Sequence, residues 1–270
     1  MQFKPSLDEF LEISSDYDVI SVRAEFTADA ETPLAAYVKL SERKPAFLFE
    51  SVVGGEQVSR FSFVGVSPRK TISCGQSTTE IIERDQPPRS IPTPSDPLEL
   101  IEDEIQGIRY SGAATDTRFS GGAVGYISYE YANRVEPTVQ VPKEDQLGLP
   151  LLFFMIADLV LIFDHACQTL TICANAYVDN RPEDAYKDAC ARIKETIELL
   201  DKPSSLTPAS LDALPEISVP EGNVSKKDFE AMVEKTKEYV RSGDVIQSVL
   251  SQRFSVPFSH PPLNLYRAIR

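Results

Sequence analysis

The sequence has few of the residues that build metal sites or disulfide frameworks. Its 270 residues hold four cysteines and two histidines. Cys74, Cys167, Cys173 and Cys190 are scattered with no C-x-x-C pair, whereas a structural zinc site needs closely spaced Cys/His pairs. No metal ligand is therefore expected in this chain, and the cysteines read as buried, reduced thiols of a cytosolic protein. Basic residues are also in deficit: 27 Lys+Arg stand against 41 Asp+Glu, a formal charge of −14. Nucleic-acid affinity is mostly phosphate neutralisation by clustered cations, so this balance opposes nucleic acid as a partner. Long apolar runs are missing too. The most apolar stretch, Leu151 to Phe163, carries Asp158 midway and falls short of the roughly 20 residues that span a bilayer. The N-terminal MQFKPSLDEFLEISSDYD lacks the basic-then-apolar order of a signal peptide. No membrane partner is expected, and the cytoplasm is the expected compartment. No Lys-Ser/Thr follows Gly121, Gly122 and Gly125, and no G-x-G-x-x-G is present, so these glycines are not a nucleotide loop. No internal repeat is visible.

What remains is ordinary globular composition, with 42% hydrophobic and 25% charged residues. At this length about two domains are expected, and roughly three quarters of the unfolded surface can be buried. Ser6-x-x-Glu9 ahead of Phe10, Leu11 and Ile13 predicts a capping box and a short helix. Ile20 to Phe26 has strand character, and Pro33 marks a helix start. AFLFESVV and QVSRFSFVGV flank Gly54-Gly55-Glu56 as a hairpin, and RKTISC adds a strand. Pro87 to Pro97 reads as a proline-rich loop, and PLELIEDEIQGIRY as a helix ending near Gly107. Gly121 to Tyr131 reads as a glycine-rich strand, because glycine in a strand permits close backbone approach. Leu151 to Phe163 and QTLTICANAYV read as two more strands that turn near Asp164-His165. Ala185, Tyr186, Ala189, Cys190, Ile193, Ile197 and Leu200 then recur at helical spacing.

A clear boundary follows. Asp201 to Gly222 holds four prolines and no stable periodicity, which predicts a linker over residues 201–224 between a first domain at 1–200 and a second region at 225–270. In that second region Ser225-x-x-Asp228 caps a helix with a Phe229, Met232, Val233 and Val240 stripe, and Gly243 ends it. Val245 to Val256 alternates in strand fashion, and a further helix starts after Pro261-Pro262. One helix, one strand and the start of another helix cannot close a core, so the second domain is expected to be cut short. The fold class expected is α+β, with packed antiparallel or mixed sheets and helices outside.

Three stretches carry a resemblance. FLFESVVGGEQVSRFSFVGVSPRK (Phe47 to Lys70), GGAVGYISYEY (Gly121 to Tyr131) and SGDVIQSVLSQRFSVPF (Ser242 to Phe258) resemble, in order and spacing, the anthranilate synthase component I family of chorismate-utilising enzymes. The resemblance covers nearly the whole chain. It implies an N-terminal regulatory domain over 1–200 and the beginning of a chorismate-binding catalytic domain at 225–270. The implied reaction adds ammonia to chorismate and eliminates pyruvate with Mg²⁺ to give anthranilate for tryptophan synthesis. A glutamine amidotransferase subunit is the implied source of ammonia, and L-tryptophan the implied inhibitor. In the family, the catalytic histidine, the Mg²⁺-binding glutamates and the substrate-carboxylate contacts lie in the half that would follow Arg270. The 270 residues alone are therefore expected to be inactive. Aminodeoxychorismate synthase component I and a non-catalytic amino-acid-binding module are the alternatives.

The resemblance also selects residues. A site for a free amino acid needs an acid for the ammonium, hydrogen-bond donors for the carboxylate and an apolar slot. Leu48, Glu50 and Ser51 match the family's tryptophan-contacting segment, with Phe49 departing from it; from alternation alone, Glu50 is a solvated strand residue. Arg60 and Arg69-Lys70 are either carboxylate holders or surface cations. Gln247 matches a position where water-using relatives carry lysine and where ammonia needs no such base; from pattern alone it is a polar strand position. His165 and His260 fall in no family motif and read as a surface residue and a loop residue.

Overall fold

Ser6 opens the first helix as a capping box: the Glu9 carboxylate accepts the Ser6 N–H and hydroxyl at 2.7 and 2.9 Å, while the Ser6 hydroxyl accepts the Glu9 N–H. This is seen in a computed structural model that describes residues 1–50, 60–112, 119–140, 145, 147–207 and 220–270. The chain divides into two units, Met1–Leu206 and Thr207–Arg270, at a point inside the proline-rich stretch.

In the first unit the elements run α1 (Leu7–Ile13), β1 (Val19–Thr27), α2 (Pro33–Leu40), β2 (Ala46–Phe49), β3 (Phe61–Val66), β4 (Lys70–Cys74), β5 (Thr78–Glu83) and β6 (Arg89–Pro92). They continue with α3 (Glu99–Glu102), β7 (Tyr110–Ser111), β8 (Gly122–Ile127), a 3-10 turn (Tyr129–Tyr131) and α4 (Ala132–Val135). The unit closes with β9 (Leu152–Ala157), β10 (Leu159–Asp164), β11 (Thr169–Tyr177) and α5 (Pro182–Leu200). One six-stranded sheet has the order β2-β3-β10-β11-β1-β7, and one five-stranded sheet the order β6-β5-β4-β9-β8. All pairings are antiparallel except β1 with β7. The α+β expectation, with packed mixed sheets and outer helices, holds.

Three cores follow from this layering. Phe10, Ile20, Val22, Leu40, Leu161, Ile172 and Ile193 fill the space between the six-stranded sheet and helices α1, α2 and α5. Phe47, Val160, Ile162 and Cys173 meet Val124, Met155 and Ala157 between the two sheets. Ile72, Ile81 and Leu152 cover the outer face of the five-stranded sheet with Ile101 and Tyr131. Fully burying such a side chain contributes about 1.5–3 kcal/mol, so the middle strands, which are buried on both faces, hold the unit together.

Several expectations are corrected. Leu151 to Phe163 is not one strand: Asp158 divides it into β9 and β10, which belong to different sheets. The proline-rich loop contains β6, an edge strand whose last residue is Pro92, where a missing N–H breaks no ladder. The helix after Pro97 is a single turn, α3. Cys167 is exposed in the β10–β11 turn, although Cys74, Cys173 and Cys190 are buried, and all four thiols are free. Among the described residues no helix is long and apolar enough to cross a membrane.

The second unit contains α6 (Lys226–Ser242), capped by Ser225 and ended by Gly243 at φ +83°, and α7 (Pro262–Ile269). The strand expected over Val245 to Val256 does not form. A strand needs a partner for its N–H and C=O groups, and among the described residues this stretch finds only an isolated bridge between Gly222 and Phe254.

Candidate functional site

Strand β2 pairs with β3 through Phe47↔Gly65, Leu48↔Val64 and Phe49↔Phe63. Side chains alternate across a strand. Leu48 accordingly packs against the helix-side core, while Phe47 enters the core between the sheets. Phe49 lies against Phe47 with ring centroids 5.0 Å apart, Phe47 meets Phe119 edge-on at 6.2 Å, and Phe63 meets Phe119 at 5.5 Å. Phe49 itself is half exposed. Glu50 follows β2 directly and is half-buried. Ser51 lies outside the described residues. The segment thus carries a partly open aromatic group, the kind of apolar slot an aromatic ligand needs, and the next residue in the chain is the carboxylate Glu50. Sequence reasoning passed over that aromatic group, although Phe-x-Phe at 47/49 and again at 61/63 was the signal for it.

The neighbouring cations are already engaged. Arg60 grips Asp164 with its planar fork, Nε to Oδ1 and Oδ2 at 3.1 and 3.0 Å and Nη2 to Oδ2 at 2.7 Å. That contact holds the Asp164 carboxyl below its ordinary range despite partial burial, helped by the N–H groups of Cys167 and Ala166. Arg60 thus pins the β10–β11 turn beside β3. Arg69 and Lys70 both hold Glu104, Lys70 also reaches Glu83 at 3.0 Å, and the Arg69 guanidinium lies 4.4 Å over the Tyr177 ring. These cations are thus held by carboxylates of the chain itself, an outcome neither of the two readings from sequence named.

The histidines are peripheral. His165 Nε2 is 2.8 Å from Ser62 Oγ, yet Ser62 is 1% exposed and out of reach as a nucleophile. The His260 ring packs on Phe258 with centroids 5.7 Å apart. Gln247 is exposed on a non-strand segment of the second unit. It lines a groove of about 660 Å³ with Val233, Val240, Ile246 and Leu250. Ile246 is 99% and Val249 82% exposed, so the apolar residues of this unit have little to pack on within it. Among the described residues no three His, Cys, Asp or Glu side chains converge as a metal cage.

The glycine-rich strand is shorter than the Gly121 to Tyr131 expected: β8 ends at Ile127, and Tyr129–Tyr131 is a 3-10 turn. A Cβ on Gly125 would fall 1.9 Å from the Phe153 carbonyl oxygen of β9, and one on Gly121 would fall 2.2 Å from Asn175 Nδ2. Close backbone approach, not phosphate binding, is what these glycines provide.

Residues 44–270 match the family of chorismate binding enzymes. The chain is 38% identical over 273 residues to anthranilate synthase component 1 of Acetivibrio thermocellus, covering 99% of this chain and 54% of that protein. It is 33% identical over 285 residues to anthranilate synthase component 1 of Saccharomyces cerevisiae, covering 100% of this chain and 53% of that protein. The chain thus spans about half the length of the curated relatives it matches. Its fold is similar to the crystal structure of anthranilate synthase component I from Streptococcus pneumoniae TIGR4, with TM-score 0.56 and 24% identity over 91% of this chain and 52% of that one.

Proposed function

This chain belongs to the chorismate binding enzymes, and from that premise we propose that it serves in an anthranilate synthase component I. The reaction proposed is the addition of ammonia to chorismate with loss of pyruvate, giving anthranilate on the route to tryptophan. A glutamine amidotransferase subunit is the proposed source of ammonia, and a lyase is the enzyme class. The observation that carries this reading is the agreement in name of relatives at 38% and 33% identity across essentially the whole chain. We assign the first unit a regulatory and structural role, with the chemistry supplied by residues beyond the half of the relatives that this chain spans.

The proposed regulatory ligand is L-tryptophan at Leu48–Ser51. Glu50 would take its ammonium, the Ser51 hydroxyl would donate to its carboxylate, and the aromatic group around Phe47 and Phe49 would face its indole. Replacing Ser51 by phenylalanine in the complete enzyme should shift the tryptophan inhibition curve to at least about tenfold higher concentration, since an unpaired buried carboxylate loses well over 1 kcal/mol. Unchanged inhibition would remove Ser51 from the site.

Gln247 is proposed to face the nucleophile. Glutamine cannot act as a base, so ammonia reacts while water is left unactivated. A complete enzyme carrying Gln247→Lys should form some hydroxylated product from chorismate when ammonia is withheld. If none forms, the assignment fails.

A further inference from the structure

Among the described residues, the edge of the six-stranded sheet opposite β2 is incompletely covered. Strand β1 pairs with the two-residue β7 at Val19↔Tyr110 and Ile20↔Ser111, and four residues after Val19 it exchanges backbone hydrogen bonds with the N-terminal segment, between Lys4 and Arg23, at 2.9 and 3.0 Å. A groove of about 580 Å³ opens here, with Lys4, Ile13, Ile20, Ser21 and Arg23 among its walls. It is separate from β2 and Glu50, because β3, β10 and β11 lie between β2 and β1 in the sheet.

Among the described residues, two of its polar groups, the Arg23 guanidinium and the Ser21 hydroxyl, are short of partners. Arg60, Arg69, Arg84, Arg109 and Arg192 each hold a carboxylate. Arg23 is half-buried and among the described residues its guanidinium holds none. Ser21 is 7% exposed, and its Oγ is buried without a hydrogen-bond partner. Near the Ser21 hydroxyl is the thiol of Cys173 on the neighbouring strand, pushed up to about 11 chiefly by burial and so protonated; a thiol is only a weak hydrogen-bond partner, and a carboxylate would serve the hydroxyl better. Glu9 is the one acid lining the groove among the described residues; its carboxylate accepts from Ser6 and also feels the Lys4 ammonium, so Lys4 is only a secondary contributor to an incoming acid. An unpaired guanidinium and a stranded hydroxyl both gain from an incoming carboxylate, the first by charge-assisted hydrogen bonds and the second by recovering a lost acceptor. Phe3, Pro5, Ile13 and Ile20 supply apolar wall, and the volume falls within the range of small-molecule sites. A bare inorganic anion would leave those walls uncovered.

We propose that this groove binds a small organic carboxylate with an apolar body, its acid held by Arg23, Lys4 and the Ser21 hydroxyl. The test is a methyl-NMR titration of the 270-residue chain with benzoate, using benzamide and inorganic phosphate as matched probes. Benzoate should move the Ile13 and Ile20 methyl signals saturably and leave Ile91, in β6, in place. Benzamide and phosphate should each bind at least about tenfold more weakly. Arg23→Gln should weaken benzoate about tenfold, and Lys4→Gln, at an exposed position whose change leaves the strand intact, by a few fold. If Arg23→Gln fails to fold, Ser21→Ala together with Lys4→Gln makes the same measurement. Equal affinity for benzamide or phosphate, no movement at Ile13 and Ile20, or benzoate affinity unchanged in the variants would each overturn the assignment.

Discussion

Asp158→Ala should cost about 3–5 kcal/mol, seen as a lower urea midpoint with an unchanged slope. The Asp158 side chain is 2% exposed and stands between β9 and β10, where the chain passes from one sheet to the other. Its carboxylate receives Arg84 Nη2 at 2.5 Å and Arg192 Nη1 at 2.9 Å. Arg84 follows β5 and also donates to the Ser67 carbonyl at 2.7 Å, while Arg192 projects from α5. One carboxylate therefore ties the five-stranded sheet, the crossover and the helix layer together. Removing it strands two guanidiniums that already carry partnerless buried nitrogens, Arg84 Nε and Arg192 Nη2. Arg84 keeps more than a quarter of its exposure, so water offsets part of the loss and the lower end of the range is expected. Asp158→Asn preserves shape and one acceptor, and should lose roughly half as much. A loss below about 1 kcal/mol for alanine would mean that the two arginines are solvated and the crossover is held by packing alone.

Gly125→Ala is the second large effect, at least about 3 kcal/mol. Gly125 lies opposite Phe154 in the β8–β9 ladder. Its added methyl would meet the Phe153 carbonyl oxygen at 1.9 Å and Phe154 Cα at 2.7 Å. Both are backbone atoms of β9, which is fixed on its other side by β4, so the obstruction cannot swing away as a side-chain tip would. Relief requires β8 to leave the sheet, taking Val124 out of the core between the sheets. The contrasting change, Gly148→Ala, meets no atom within 4 Å and carries only the strain of its φ of +60°, about 1 kcal/mol. Thermal melts of the two variants should differ clearly; equal melts would show that β8 can shift without detaching.

Local chemistry was legible in the sequence, and partners brought from far along the chain were not. Ser6-x-x-Glu9, Pro33 and Gly243 announce helix ends because a cap is completed within a few residues. The α5 stripe is legible because it buries one face only. Leu151 to Phe163 offered no periodicity, since strands buried on both faces read as one apolar run. The meaning of Asp158 came from Arg84 and Arg192, which no spacing connects to it. Val245 to Val256 has the alternation of a strand, but pattern without a pairing neighbour does not make one. At the site, family resemblance singled out Leu48, Glu50 and Ser51, whereas the aromatic group around Phe119 required the register of β2 on β3. Arg60 looked free in sequence because its counter-ion, Asp164, is more than a hundred residues away.

The proposal gives this chain the regulatory segment and the approach to the catalytic region, and places the groups that perform the lyase step outside these 270 residues. The most direct measurement incubates the purified 270-residue chain with chorismate, an ammonium salt and magnesium, and follows anthranilate fluorescence. The expected trace stays at the level of the protein-free control. A sustained, enzyme-dependent rise would contradict the account and place the chemistry within these residues.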